Sequence, residues 1–356
     1  MKIDNHRLLD LYTQFLLSGV GLCTATKLSA VLNGEISHDK VSRLLDSGYI
    51  SSRRLWLVVK PMCAEIAQQN AVLIIDDSVE AKPYTQHNAL IQWHFDHTVG
   101  RAVKGVNFIS ALYHSWEMSL PIGVSFIKKD IPYTDKAGKN KLKSGISKQE
   151  HFRDLVYRAT EQLSFKYVLS DSWFTCADNM NFIVQQCGRN FIMAIKENRK
   201  VALTKADKLQ GKYIGIKEAV SEGCVRSVYV KQLDVPVCII TKQVFKNGDG
   251  STGTLYLISN DLNLSYEQMT TIYKRRWKVE EYHKSIKSNI SFSKSPTKTV
   301  STQEAHFIAS ILGYVKMERL KIKHTKNHFA LKDLMMVNAT KAAWATLDDL
   351  QGQKAA

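Results

Sequence analysis

Two short apolar runs of strand character end in aspartate, and they constrain the fold of this chain more than any other feature. Ala71-Val-Leu-Ile-Ile75 leads into Asp76-Asp77-Ser78, and Tyr167-Val-Leu-Ser170 leads into Asp171-Ser-Trp-Phe174. One such run is unremarkable, because loops after strands are rich in Asp. Two of them, with helical segments between, point to an α/β sheet whose strand ends carry carboxylates.

Far downstream, Tyr273, Arg276, Glu280 and Lys287 recur at offsets of 0, 3, 7 and 14. At about 100° per residue these four fall within roughly 60° of one another on a helix, so a carboxylate is flanked by cations on one face. Taken alone, the stripe is also what a solvated helix face looks like, with Arg276, Glu280 and Lys284 in ordinary i,i+4 pairs. The two Asp-ended strands change that reading, since two Asp and one Glu form an oxygen-ligand set for Mg²⁺.

The Tyr, two residues, Arg, three residues, Glu, six residues, Lys pattern resembles the signature of IS4-family bacterial insertion-sequence transposases. Trp277, Glu281, His283 and Lys284 are similar to the neighbouring residues in Tn5-type members. The likeness runs from about residue 70 to 290, with its motifs in the family's order. It implies an RNase H-like catalytic core with an Asp, Asp, Glu active site. Asp76, Asp171 and Glu280 are then the catalytic, metal-binding residues. Arg276 and Lys287 would hold phosphates of the bound strand, and Tyr273 would contact a phosphate or stack; Lys284 joins this DNA-binding group.

Phosphodiester cleavage needs in-line attack by water or a 3′-hydroxyl, with charge neutralised on the entering and leaving oxygens. Two divalent ions about 3.5 to 4 Å apart achieve this when carboxylates from different elements converge. The expected cofactor is therefore Mg²⁺, two ions per site, with Mn²⁺ able to substitute. Asp76 and Asp77 are alternatives for the first ligand, pointing to opposite faces if the strand continues. Asp76 is preferred because it follows the apolar run directly and Ser78 completes the family's Asp-any-Ser pattern. Glu281, about 100° around the helix from Glu280, would point away. Trp173 and Trp277 are read as core residues near the site.

Forty-nine Lys and Arg against 33 Asp and Glu give a formal charge of +16, which makes a polyanion the first partner to consider. The cations cluster at 128–148, 196–217 and 274–298, next to the proposed site elements. The family resemblance narrows that polyanion to double-stranded DNA, as terminal inverted repeats and as target, and implies a homodimer because two ends must be cut and joined together. Six scattered cysteines form no CxxC pair or zinc-spaced cluster and read as reduced thiols. No apolar run approaches a membrane span, so a cytoplasmic protein without membrane attachment is expected.

Five segments follow: an N-terminal helical DNA-binding domain (1–69), a first part of the core (70–196), a β-rich insertion (197–253), a second part of the core with the Glu-bearing helix (254–300), and a C-terminal helical region (301–356). The fold class is thus α/β, an interrupted RNase H-like core between helical ends. A helix at 24–32, a turn at Asn33-Gly34 and a helix after Ser37 suggest a helix-turn-helix, with His38, Lys40, Ser42 and Arg43 facing DNA. Strands are expected at 71–75, 102–113, 120–127, 165–169, 191–196, 225–230, 235–241 and 254–259. The segment 130–145 reads as a loop. Capping boxes at Ser147/Glu150 and Ser265/Gln268 open two helices, the second carrying Glu280. The chain ends in a polar Gln-Gly-Gln-Lys tail. Tn5-like enzymes that make DNA hairpins capture a flipped base with a tryptophan from the inserted region; no Trp lies between Trp173 and Trp277, so either Tyr213 or Tyr229 substitutes or the second-strand cut does not use a hairpin in the same way. The alternatives are a non-catalytic DNA-binding derivative and an RNase H-like nuclease without strand transfer.

Overall fold

The computed structural model of the chain describes residues 3–96 and 99–352; the polar tail lies outside them from Gln353 onward. In chain order the elements are α1 (Asn5–Ser18), α2 (Ala25–Val31), α3 (His38–Asp46), α4 (Ser52–Glu65), β1 (Val72–Ala81), β2 (Gln92–Asp96), β3 (Arg101–Ser115), β4 (Met118–Phe126), β5 (Ile131–Thr134), β6 (Asn140–Lys143), α5 (Lys148–Gln162), β7 (Tyr167–Ser170), α6 (Ala177–Asn181) running into a π-helical turn, β8 (Asn190–Ile195), β9 (Lys200–Ala202), α7 (Lys205–Leu209), β10 (Ile214–Gly215), α8 (Ile216–Ala219), β11 (Val225–Val230), β12 (Cys238–Lys246), β13 (Thr252–Ser259), α9 (Tyr266–Lys274), α10 (Trp277–Asn289), α11 (Val300–His324) and α12 (His328–Gly352). The fold is mixed α/β with one large mixed sheet. The chain forms two compact units: residues 60–78 with 107–280, and residues 1–59, 79–106 and 281–356.

The first unit is built on the sheet, in the order β10-β9-β11-β12-β13-β8-β7-β1-β3, with β4 on β3. β1, β7 and β8 are parallel, and β3 and β4 form an antiparallel hairpin turning at Trp116. Val72 to Ile75 and Val168 to Ser170 are fully buried, as short apolar runs covered on both faces should be. β11 and the turn at Asn247–Gly250 appear where expected, while β12 starts at Cys238 and runs to Lys246, shifted from the expected 235–241. The 197–253 stretch also contains the helices α7 and α8, and its strands extend the main sheet through β13. Both capping boxes are present: Ser147 with Glu150, and Ser265 with Gln268. Two expectations are corrected. The segment 130–145 is not a loop but holds a separate two-stranded ribbon, β5–β6, built by cross-strand pairing of Lys-rich sequence. The helix expected to run unbroken to Glu280 is interrupted at Arg275–Arg276.

The second unit is mainly helical. α1, α3 and α12 pack on α11, burying Leu8, Tyr12, Leu16, Val41, Leu44, Phe307 and Ile311. Thr24 caps α2 and Ser37 caps α3, and the turn between them takes positive φ at Asn33 and Gly34. β2 pairs here with the first residues of β3, and Gly105 is required by contact: a Cβ would lie 2.0 Å from the Glu80 carbonyl oxygen. Gly105→Ala is therefore expected to cost on the order of 3 kcal/mol or more in urea denaturation, by forcing backbone apart.

His306 is fully buried in this unit. Its Nε2 lies 3.0 Å from the Ser291 carbonyl, so it donates there, and its Nδ1, 2.9 Å from the Tyr12 hydroxyl, accepts. Burial, with Lys82 nearby, lowers the imidazole pKa from 6.5 to about 3. A depressed pKa means stability is fully present above 6.5 and is lost as the pH falls toward 3. Between pH 7 and pH 5 the loss should be about 2 kcal/mol, and His306→Gln should flatten that dependence in urea titrations.

Among the described residues, no helix is long and apolar enough to cross a membrane. All six cysteines are free thiols.

Candidate active site

Parallel pairing sets the first two site residues. β1 and β7 pair Val72 with Tyr167 through to Ile75 with Ser170, so Asp76 and Asp171 follow as neighbours at the carboxyl ends of adjacent strands. That end of an α/β sheet is where the chain turns to loop and side chains converge. The Trp173 amide donates to Asp171 Oδ1 at 3.0 Å, which holds this carboxylate in its turn.

β1 continues past Ile75 to Ala81, so Asp76 and Asp77 point to opposite faces. Asp76 Oδ2 accepts from Arg276 Nη1 at 3.3 Å, while Asp77 pairs with Lys148 from the first turn of α5. Burial, and then the neighbouring Asp171 charge, push the Asp76 carboxyl up to about 8, against the opposing pull of Arg276. Asp171 is also raised, first by burial and further by Asp77, with the Trp173 amide and Arg276 pulling it down. Two carboxyls thus share a volume with too little positive charge to ionise both freely.

The interrupted helix supplies the rest. Arg275 and Arg276 donate to Ile272 and Tyr273, and Lys278 and Val279 to Arg275 and Arg276, at 2.8–3.1 Å. This three-residue spacing is a tight 3₁₀-type junction, in which residues three apart eclipse. It stacks Arg276 over Tyr273, with 6.0 Å from guanidinium to ring, and lets Arg276 Nη2 reach Glu280 Oε1 one turn on. Arg276 therefore bridges Asp76 and Glu280. Tyr273 is buried and its hydroxyl donates to the Ser170 carbonyl at 3.2 Å. It braces the residue before Asp171.

The tryptophan expectation is corrected as well. Trp173 and Trp277 are 45% and 58% exposed, not core. Lys148 and Lys196 approach the Trp173 ring at 5.9 and 5.7 Å, a cation–π arrangement that composition could not show. Lys148, absent from the sequence-based set, could have been flagged only as the first residue after a capping Ser. Beside the Asp171 loop lies a cavity of about 450 Å³ lined by Thr175, Cys176, Arg199, Lys200, Tyr213 and Lys231, among others.

In the helical unit, Lys287 Nζ donates to the Val79 carbonyl at 2.7 Å and lies 3.9 Å from Glu80. Burial lowers its pKa, with Glu80 acting against that. Lys284 Nζ sits 5.1 Å from the Phe329 ring centroid. Arg43 is exposed and Lys40 half-buried on α3.

Residues 2–216 match the family model described as DDE superfamily endonuclease, and residues 137–316 match the transposase DDE domain. The chain belongs to the DDE superfamily. The first match contains Asp76 and Asp171, the second Asp171 and Glu280. This DDE chain is an enzyme of the transposase and endonuclease type, a class that acts on DNA and generally uses divalent metal ions. Among curated proteins, none matches it.

Among the described residues, no three His, Cys, Asp or Glu side chains stand close enough together to hold a metal. Arg276 is the cation between Asp76 and Glu280. The donor chemistry nevertheless fits a hard divalent ion: carboxylate oxygens only, with the raised Asp76 and Asp171 calling for positive charge.

Proposed function

We propose that the chain is an insertion-sequence transposase of the IS4 type. It binds the terminal inverted repeats of its element, cuts them, and joins the freed 3′-hydroxyls to target DNA, acting as a homodimer. The observation that carries this reading is Arg276 bridging Asp76 and Glu280 while the β1–β7 register sets Asp171 beside Asp76. The β3–β4 hairpin beside the parallel β1, β7 and β8 supports an RNase H-like core.

Asp76, Asp171 and Glu280 would hold two Mg²⁺ ions, with Mn²⁺ able to replace them. Bound there, the ions supply charge neutralisation on the entering and leaving oxygens of the phosphodiester. Asp76 must give up its proton to serve as a ligand, and Arg276 must release one or both carboxylates. The freed guanidinium, still braced by Tyr273, is then available to a phosphate of the bound strand. Asp77, neutralised by Lys148, stays outside the ligand set. Lys284 and Lys287 contribute further cations, and α2–α3 form a helix-turn-helix with Lys40 and Arg43 toward DNA. If a hairpin forms, Tyr213, which lines the cavity beside the Asp171 loop, or Tyr229 would take the flipped base. The core is read as 70–196 and 254–300, with the β-rich insertion at 197–253 between helical ends, 1–69 and 301–356.

Purified protein, Mg²⁺ or Mn²⁺, a DNA fragment carrying the element's own ends and a supercoiled plasmid test the reading. End cleavage followed by joined products is expected. Nicking without joining would instead favour a nuclease without strand transfer, and binding without cleavage a non-catalytic derivative.

A further inference from the structure

The β5–β6 ribbon stands apart from every other element. It forms its own two-stranded sheet, and all eight of its residues are exposed. It buries nothing for the core, and an isolated hairpin of this length is marginal in water. Its order comes instead from its tip. Asp135 Oδ1 accepts from the amides of Ala137 and Lys139, both at 2.9 Å, and Asp135 Oδ2 pairs with Lys141 at 2.6 Å. Gly138 closes the turn at φ +76°, and the Asp135 amide donates to the Lys139 carbonyl at 2.9 Å. A turn this well tied, in a ribbon whose eight strand residues are all exposed, is organised to present something.

What it presents is positive charge. Residues 128–148 hold seven Lys against two Asp. The cross-strand pairs Ile131–Lys143 and Tyr133–Lys141 put those side chains on one face, where Lys143 Nζ lies 5.8 Å from the Tyr133 ring. Lys136 and Lys139 project from the tip. Lys and Pro along a ribbon also discourage edge-to-edge aggregation, which accounts for Pro132 and Lys141. It does not account for the tip lysines, which lie beyond the ladder and guard no edge.

Position supplies the second constraint. Lys143 ends β6 and Lys148, five residues on, is paired with Asp77 beside Asp76. Five residues of chain span at most about 18 Å, so the base of the ribbon is tethered within that reach of Lys148, whose side chain meets Asp77. Two strands about 4.8 Å apart fit a major groove about 12 Å wide.

We propose that the β5–β6 ribbon lies in a groove of duplex DNA next to the cleaved phosphodiester, with Lys136, Lys139 and Lys143 on backbone phosphates. This rests on the DNA-cleaving function proposed above.

The test uses the full chain and a fluorescein-labelled 30-base-pair duplex of mixed sequence, with Kd measured across a KCl series. The triple variant Lys136→Ala/Lys139→Ala/Lys143→Ala should bind at least about 10-fold more weakly at 100 mM KCl, with the slope of log Kd against log [KCl] reduced by about 2 to 3. A charge-matched control, Lys323→Ala/Lys326→Ala/Lys341→Ala, should change the slope by less than 1. The triple Lys→Arg variant at 136, 139 and 143 should restore binding. In the unaltered protein, duplex should protect Lys136 and Lys139 from acetylation. Equal losses in the ribbon and control triples, or unchanged acetylation with DNA bound, would overturn the proposal while leaving the DNA-cleaving function standing. Failure of the unaltered protein to bind duplex at any salt would overturn both.

Discussion

Glu280→Ala should abolish end cleavage, by about 10³-fold or more, while the protein remains folded. The loss follows from removing one of three carboxylates that serve the metal-dependent step. The fold should survive because Glu280 is only half-buried, so truncating it opens no cavity in the core. Arg276 keeps Asp76 as a partner in this variant. Glu281→Ala, one residue along α10, should retain most activity. Cleavage of end-bearing DNA, with circular dichroism melts of each variant, checks both halves. Comparable losses in Glu280→Ala and Glu281→Ala would remove Glu280 from the site.

Arg276→Ala should have the next largest effect, and in two opposed directions. Cleavage should fall by about 10² to 10³-fold, because the guanidinium proposed to receive a phosphate is gone. Divalent-ion affinity without DNA should rise, because Asp76 and Glu280 lose the cation that competes for them. The pH dependence sharpens the expectation. Asp76 holds its proton up to about pH 8, so a metal must displace it, and binding to the unaltered protein should strengthen as pH rises toward 8. Removing Arg276 takes away one influence that lowers the Asp76 pKa, so the same rise should extend to higher pH. Mn²⁺ titration by calorimetry at pH 6, 7, 8 and 9, on both proteins, measures this. Weaker metal binding in Arg276→Ala at every pH would show that Arg276 supports the ligand set and does not compete for it.

The parts of the fold legible in the sequence were local ones. Buried strands announced themselves as apolar runs ending at Asp76 and Asp171, and the caps at Ser37, Ser147 and Ser265 marked helix starts by short-range hydrogen bonding. The stripe from Tyr273 to Glu280 was visible as a period, but a period cannot record a switch to three-residue hydrogen bonding at Arg275–Arg276, and that switch stacks Arg276 on Tyr273. The Arg276–Asp76 pair joins residues 200 apart and exists only through the sheet. The β5–β6 ribbon was hidden because β5 holds Pro132 and β6 carries Lys141 and Lys143 where strands usually carry apolar residues. Trp173 and Trp277 looked like core because aromatic residues usually are; their surroundings, not their type, leave them exposed.

The most direct test of a carboxylate site serving divalent ions is an anomalous difference map from crystals of the protein with cleaved-end DNA and Mn²⁺. Peaks bounded by Asp76, Asp171 and Glu280, with Arg276 moved from Asp76 or Glu280 onto a phosphate, are the expected result. Peaks elsewhere, or Arg276 still bridging both carboxylates while DNA and Mn²⁺ are bound, would contradict it.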